Sequence, residues 1–169
     1  MALPRKLKHF NVFYNGENFI GQAGEVTLPK IARKMEGWRG AGMTGEVKVD
    51  MGMEAMELEH SYGGIMAEIY RDFGIAKVDG VMLRFAGAYQ RDDTDAVDAV
   101  EIVCRGRHEE IDPGSAKAGD DTEFKVKSAL SYYKLSINGE DLIEIDLVNM
   151  VEKVGGEDRL AEHRKAIGL

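Results

Sequence analysis

The chain has 169 residues, enough for one domain that buries its core without disulfides or metals. Twenty-two basic side chains against 30 acidic ones leave a net charge of −8, which disfavours adhesion to duplex DNA or an anionic membrane. A single cysteine, Cys104, excludes an internal disulfide and an all-cysteine zinc site.

The start, Met1 to Lys8, is basic but leads into no apolar run, so no secretory signal is expected, and no stretch approaches the roughly 20 apolar residues of a membrane helix. Phe10, Val12 and Tyr14 alternate with more polar neighbours, and Asn15-Gly16 suits a type I′ turn that returns through Glu17 to Ile20. Residues 1–39 carry seven basic against three acidic side chains, a net of +4, while residues 40–169 carry 15 against 27, a net of −12. Such a split can draw copies of one chain together head to tail.

Residues 37–53 break the pattern. Glycines crowd Gly37 to Gly45, and Met35, Met43, Met51, Met53, Met56 and the sole tryptophan, Trp38, lie in or beside the stretch. A glycine-rich segment does not bury Trp and Met against itself, so it folds onto its own core or packs on another molecule. Gly40-Ala41-Gly42-Met43-Thr44-Gly45 matches G-x-G-x-x-G, but a dinucleotide site needs a buried strand before it and a helix after it. Lys30 to Glu36 is too charged for a doubly buried strand, and Glu46 to Asp50 alternates like a strand. The motif fails its context.

Ile65, Met66, Ile69, Tyr70 and Phe73 recur at helical spacing, with Gly74 as a left-handed stop. Val81, Leu83 and Phe85 then alternate up to a kink expected at Gly87. Asp92, Asp93, Asp95 and Asp98 lack the glycine an EF-hand loop needs, and read as a solvated turn between strands. Val100, Ile102 and Cys104 share a face. Cys104 and His108 stand about 13 Å apart along a strand, too far for a thiolate–imidazole pair. His9, His60 and His163 show no metal or triad spacing and read as surface or structural residues. Glu109 and Glu110 are expected on opposite faces of their strand.

Phe124, Val126, Ser128, Leu130 and Tyr132 run in one phase, and Tyr133, Leu135 and Ile137 in the other, which predicts a β-bulge near Tyr132-Tyr133. Val126→Asp is expected to destroy the fold. Asn138-Gly139 marks a second hairpin, followed by Ile143, Ile145 and Leu147. A last short helix has Glu157 and Asp158 at its start and His163, Arg164 and Lys165 in its last turn. With eight or more strands and two short helices, the fold class is mainly β: an antiparallel β-sandwich or partly open barrel with one internal and one C-terminal helix, in a single domain over 1–169.

Val26 to Lys30, Arg84 to Thr94, Arg105 to Gly114, Ser131 to Leu135 and Glu144 to Asn149 stand together in one order and spacing. With Pro4 to Leu7 and the closing Ile167-Gly168-Leu169, they cover essentially the whole chain. The chain resembles the major tail tube protein of contractile-tailed bacteriophages and the related tube protein of R-type pyocins.

The resemblance implies a structural protein without catalysis, cofactor or metal. It implies rings of six that stack into a hollow tube inside a sheath, with a long loop or hairpin at about residues 37–55 reaching the adjacent ring. Trp38, Met43, Met51 and Met53 would be its apolar anchors, and Arg39 a charged partner. The implied partners are further copies of the chain, the sheath, baseplate or initiator and tape-measure proteins, and DNA in transit; no membrane is involved. The implied location is the virion tail, after assembly in the host cytoplasm. A DNA-free tube, of a pyocin or type VI secretion particle, is the alternative within this architecture. A small acidic β-domain enzyme or ligand-binding module is a distant one.

Overall fold

The computed structural model describes residues 1–169 as twelve strands and two short helices. In chain order come β1 (Lys6–Tyr14), β2 (Glu17–Asn18), β3 (Ala23–Thr27), β4 (Arg33–Trp38), β5 (Val47–Met53) and β6 (Met56–Tyr62). Helix α1 (Ala67–Arg71) is followed by the long strands β7 (Val81–Gln90), β8 (Val97–Asp112) and β9 (Phe124–Ile137). The chain closes with β10 (Glu140–Asp146), β11 (Val151–Val154), β12 (Glu157–Asp158) and α2 (Ala161–Ala166).

Ten strands form one antiparallel sheet in the order β12-β11-β10-β9-β8-β7-β1-β2, with β6 on β9 and β3 on β6. The sheet branches along one edge of β9: β6 pairs with Phe124 to Leu130, and β10 with Tyr132 to Ile137. The changeover falls at Ser131. Arg105 pairs with Tyr132 but Gly106 with Leu130, so Ser131 is the extra residue of a β-bulge. The phase change in the sequence is thus real, one residue earlier than Tyr132-Tyr133. The Ser131 carbonyl is not wasted, since it accepts the Leu147 N–H at 3.0 Å.

Both Asn-Gly turns form as read. Asn15 and Gly16 have φ of 48° and 88°, and Asn138 and Gly139 have 51° and 81°, the two positive values a type I′ turn requires. Four local expectations are corrected. Strand β7 runs through Gly87 without a register shift; the irregularity lies opposite, where Lys8 is the extra residue of β1. A second bulge at Glu109 leaves both Glu109 and Glu110 exposed, so strict alternation fails there. Glu157 and Asp158 form the short strand β12 instead of opening the last helix, although Asp158 still pairs with Arg164 of α2. Leu147 lies beyond the end of β10 and is exposed.

The inward faces meet in one core. Tyr14, Met56, Leu58, Tyr62, Ile69 and Phe124 are its largest fully buried side chains; each aliphatic one contributes about 1.5–3 kcal/mol relative to exposure. Cys104 and Val126 are buried as well. Three of the four aspartates after β7 make ion pairs: Asp92 with Lys8 at 2.7 Å, Asp93 with Arg91 at 3.4 Å, and Asp98 with Arg5.

Candidate functional site

Strands β4 and β5 stand apart from this sheet. They pair with each other from Trp38↔Val47 down to Arg33↔Met53 and share no ladder with the other ten strands. The projecting element therefore begins at Arg33, four residues before the expected boundary. The charge of Lys30 to Glu36 argued against a buried strand; in an exposed one it is no obstacle.

Cross-strand partners point to the same side, so Trp38, Val47 and Val49 share one face. They are 63%, 52% and 43% exposed. Met35 and Met51 are exposed as well. At the tip, the Met43 N–H donates to the Gly40 carbonyl at 3.2 Å, and Gly42 has φ of +83°. That is a type II turn, which needs glycine at its third position. The Gly40 N–H points at the Met43 sulfur at 3.0 Å, and Arg39 Nε donates to the Met43 carbonyl at 3.2 Å. The G-x-G-x-x-G segment is thus a hairpin connection between antiparallel strands, as its context implied.

The five residues singled out from sequence do not stand alike. Trp38 and Met51 are exposed, Arg39 and Met43 brace the tip, and Met53 packs against the main core at the hairpin base. Val47 and Val49 extend the exposed Trp38 face, Met35, paired with Asp50, is exposed on the opposite face, and Arg33 holds the base; none of these four was among the interface residues expected from sequence. The signal for the valines was present, as alternation through Val47 and Val49 opposite Trp38. An isolated two-stranded hairpin is marginally stable in water. This one leaves Trp38, Val47, Val49 and Met51 open to solvent.

A second constellation is internal. His60 and His108 are buried and joined through Ser128, whose Oγ lies 3.1 Å from His60 Nε2 and 3.0 Å from His108 Nδ1. His60 Nδ1 meets the Tyr62 hydroxyl at 2.8 Å, and His108 Nε2 meets the Tyr14 hydroxyl at 2.8 Å. Tyr14 donates to the Asp72 carboxylate at 2.6 Å, just past α1. That terminus orders the whole chain. With Tyr14 donating to Asp72, His108 Nε2–H donates to Tyr14, Ser128 to His108, His60 Nε2–H to Ser128, and Tyr62 to His60. Both imidazoles are then neutral Nε2–H tautomers and each link is satisfied.

Burial holds His60 down at about 3, with the neighbouring His108 adding to the effect, and lowers His108 against the opposing pull of Asp72. Burial also raises Tyr14, helped by Asp72, and raises Tyr62. Cys104 is pushed up to about 12 by burial, which makes it an inert thiol. The arrangement stiffens a core; it holds no activated nucleophile beside a free base. A cleft of about 270 Å³ nearby is lined by Glu25, Glu59, Glu110, Asp112 and Glu123 with Lys125 and Lys127, and Val126 is its one apolar residue. Small-molecule pockets are mostly apolar, so this lining does not favour the ligand-binding alternative.

The family model described as phage tail tube protein FII matches residues 4–168. The tail tube protein of Escherichia phage P2 is 51% identical over 175 residues, covering 100% of both chains. The major tail tube protein of Serratia phage KSP20 is 42% identical over 160 residues, covering 94% of this chain and 92% of that one. Among solved structures, one from the sheath–tube complex of the extracellular contractile injection system PVC superposes with a TM-score of 0.60 at 11% identity, over 79% of this chain and 91% of that one. One from the anti-feeding prophage baseplate does so with a TM-score of 0.60 at 10% identity, over 80% and 97%. At those identities the likeness is one of fold. The close relatives are structural proteins of the phage tail and not enzymes. With a family model spanning nearly every residue and a full-length relative at 51% identity, the chain belongs to the phage tail tube protein FII family.

Proposed function

We propose that six copies of this chain close into a ring, and that rings stack head to tail through the β4–β5 hairpin. The stack is the inner conduit of a contractile tail, with sheath outside, baseplate or initiator at one end and tape-measure protein and then DNA inside. The observation that carries the reading is the detached hairpin with Trp38, Val47, Val49 and Met51 bare. Closed contacts fix the ring, and a contact that does not close makes a filament. Trp38 at the tip is the residue type that most often dominates such contacts.

At −8 per chain, a ring of six carries about −48. A lumen lined by acidic side chains lets DNA slide past without releasing counterions to a basic cradle. Of the exposed strand carboxylates, Glu57 pairs with Lys127 at 3.3 Å and Glu101 with Arg84 at 3.2 Å. Glu59 lies between β3 and β9 on β6 with no ion pair of its own, and is the better lumen candidate.

Electron microscopy of the concentrated full-length chain tests the docking role. Trp38→Ala, or deletion of residues 40–45, is expected to leave the far-UV circular dichroism of the subunit intact and to abolish long tubes. Tubes of normal length with either change would refute it.

A further inference from the structure

The hairpin shares no ladder with the body, so its angle depends on the few contacts at its base. The Glu54 N–H bond to the Ala32 carbonyl, at 2.8 Å, closes the neck but joins the hairpin only to its own other leg. Met53 supplies apolar packing, which is not directional. One side-chain hydrogen bond runs from the hairpin to the main sheet, and it belongs to Arg33. Its Nε donates to Asp50 across the hairpin at 2.8 Å, while a terminal nitrogen donates to Glu152 of β11 at 2.6 Å.

A guanidinium suits that task, because its planar fork engages two carboxylates in fixed directions where an ammonium would hold one. The support beneath it is stiff. The Glu152 carbonyl accepts the Arg159 N–H at 2.7 Å, and Arg164 ties α2 to Asp158 and to the Met150 carbonyl. Glu152 is only 15% exposed, so the bond is partly shielded from water and salt. The Arg33 guanidinium holds Asp50 below the usual carboxylate range, helped by the Gly52 N–H.

We propose that Arg33 is a positioning residue: with Glu152 it forms a clasp that sets the hairpin's angle on the free subunit, before a second copy of the chain binds it. This rests on the docking role proposed above. A hairpin already aimed loses less freedom on docking, and the gain appears in assembly instead of subunit stability.

Glu152→Gln is the informative variant, since it leaves the Arg33–Asp50 pair within the hairpin and weakens only the tie to the body. Trp38 is the sole tryptophan and sits at the hairpin tip, so its fluorescence anisotropy decay reports hairpin motion in the unassembled full-length chain. Expected for Glu152→Gln and for Arg33→Ala are faster depolarisation, a nearly unchanged melting temperature and a critical concentration for tube formation raised about tenfold. Wild-type depolarisation in both variants would overturn the clasp and leave the docking role standing. Loosened hairpins that still assemble at the wild-type concentration would also overturn it. Failure of the docking role itself is read separately, from normal tubes with Trp38→Ala.

Discussion

Gly106 has no room for a side chain. It sits on β8 at the Ser131 bulge, and an added Cβ would fall 2.0 Å from the Ala129 carbonyl oxygen, which is backbone and cannot swing away. Gly106→Ala is expected to destabilise the subunit by roughly 3 kcal/mol, because the ladder at the sheet's branch point must open to admit it. Urea unfolding followed by circular dichroism measures this, and a loss below about 0.5 kcal/mol would show that the bulge relaxes freely. Ser128 shows the opposite kind of residue. In the sequence it is one polar residue in an apolar phase, and nothing local says why. Its partners, His60 and His108, lie 68 and 20 residues away, and Tyr14 is a further 94 from His108. Each position taken alone looks like an ordinary structural residue, so the ordered chain they form is invisible until the strands are placed side by side.

What was legible at the level of elements is what neighbouring residues decide. The two Asn-Gly turns dictate their own geometry, the period-two runs mark their strands, and the phase slip in β9 announces its bulge. The start of the hairpin was not legible, because Arg33 to Glu36 carries the charge of a solvated surface and its pairing with β5 is exposed on both faces. The branching of β9 between β6 and β10 was hidden for a different reason. It joins segments far apart in the chain, and no local pattern distinguishes one antiparallel neighbour from another. Strand β9 is also where a single charge does most harm. Val126 is 2% exposed and pairs with His60 of β6 on one edge and Ile111 of β8 on the other. Val126→Asp puts a carboxylate on the buried face beside His60, which burial keeps neutral, at a cost of several kcal/mol. Soluble yield and the far-UV spectrum check this; a native-like spectrum with a wild-type melting temperature would mean that the position is wetter than its burial implies.

Taken over the whole molecule, the uneven charge of the sequence is partly spent within the subunit. Arg5, Lys8 and Arg33, three of the seven basic residues before position 40, pair with Asp98, Asp92, Asp50 and Glu152 of the acidic remainder. What is left for contacts between copies is smaller than the split of +4 and −12 suggested. The buried polar chain has a wider reach, since it joins β1, β6, β8, β9 and the end of α1, and it makes stability depend on pH. The titratable groups facing its histidines are Tyr62 of β6, Tyr14 of β1 and Asp72, with Glu68 of α1 beside Tyr14. The cross-strand neighbours of His60 are Val26 and Val126, which offer no charge. Both histidines are held below the ordinary value of 6.5, His60 at about 3. The unfolded chain therefore takes up protons first as pH falls. Their stabilising contribution is complete above about pH 6.5 and is lost below it, at up to roughly 1.4 kcal/mol per pH unit for each histidine. Cys104, raised from 9.0 to about 12, acts in the opposite sense: its contribution is complete below pH 9 and is lost above it. A plateau between about pH 7 and 9 follows, with an acid limb that begins before the carboxylates of Asp50, Asp98 and Asp158, all held low by their partners, start to titrate. Urea midpoints at half-unit steps from pH 8 to 5 read this limb directly. A midpoint flat across that range would mean that the folded chain accepts a proton on His60 or His108 as readily as the unfolded one, and the Tyr62-to-Asp72 ordering would then be wrong.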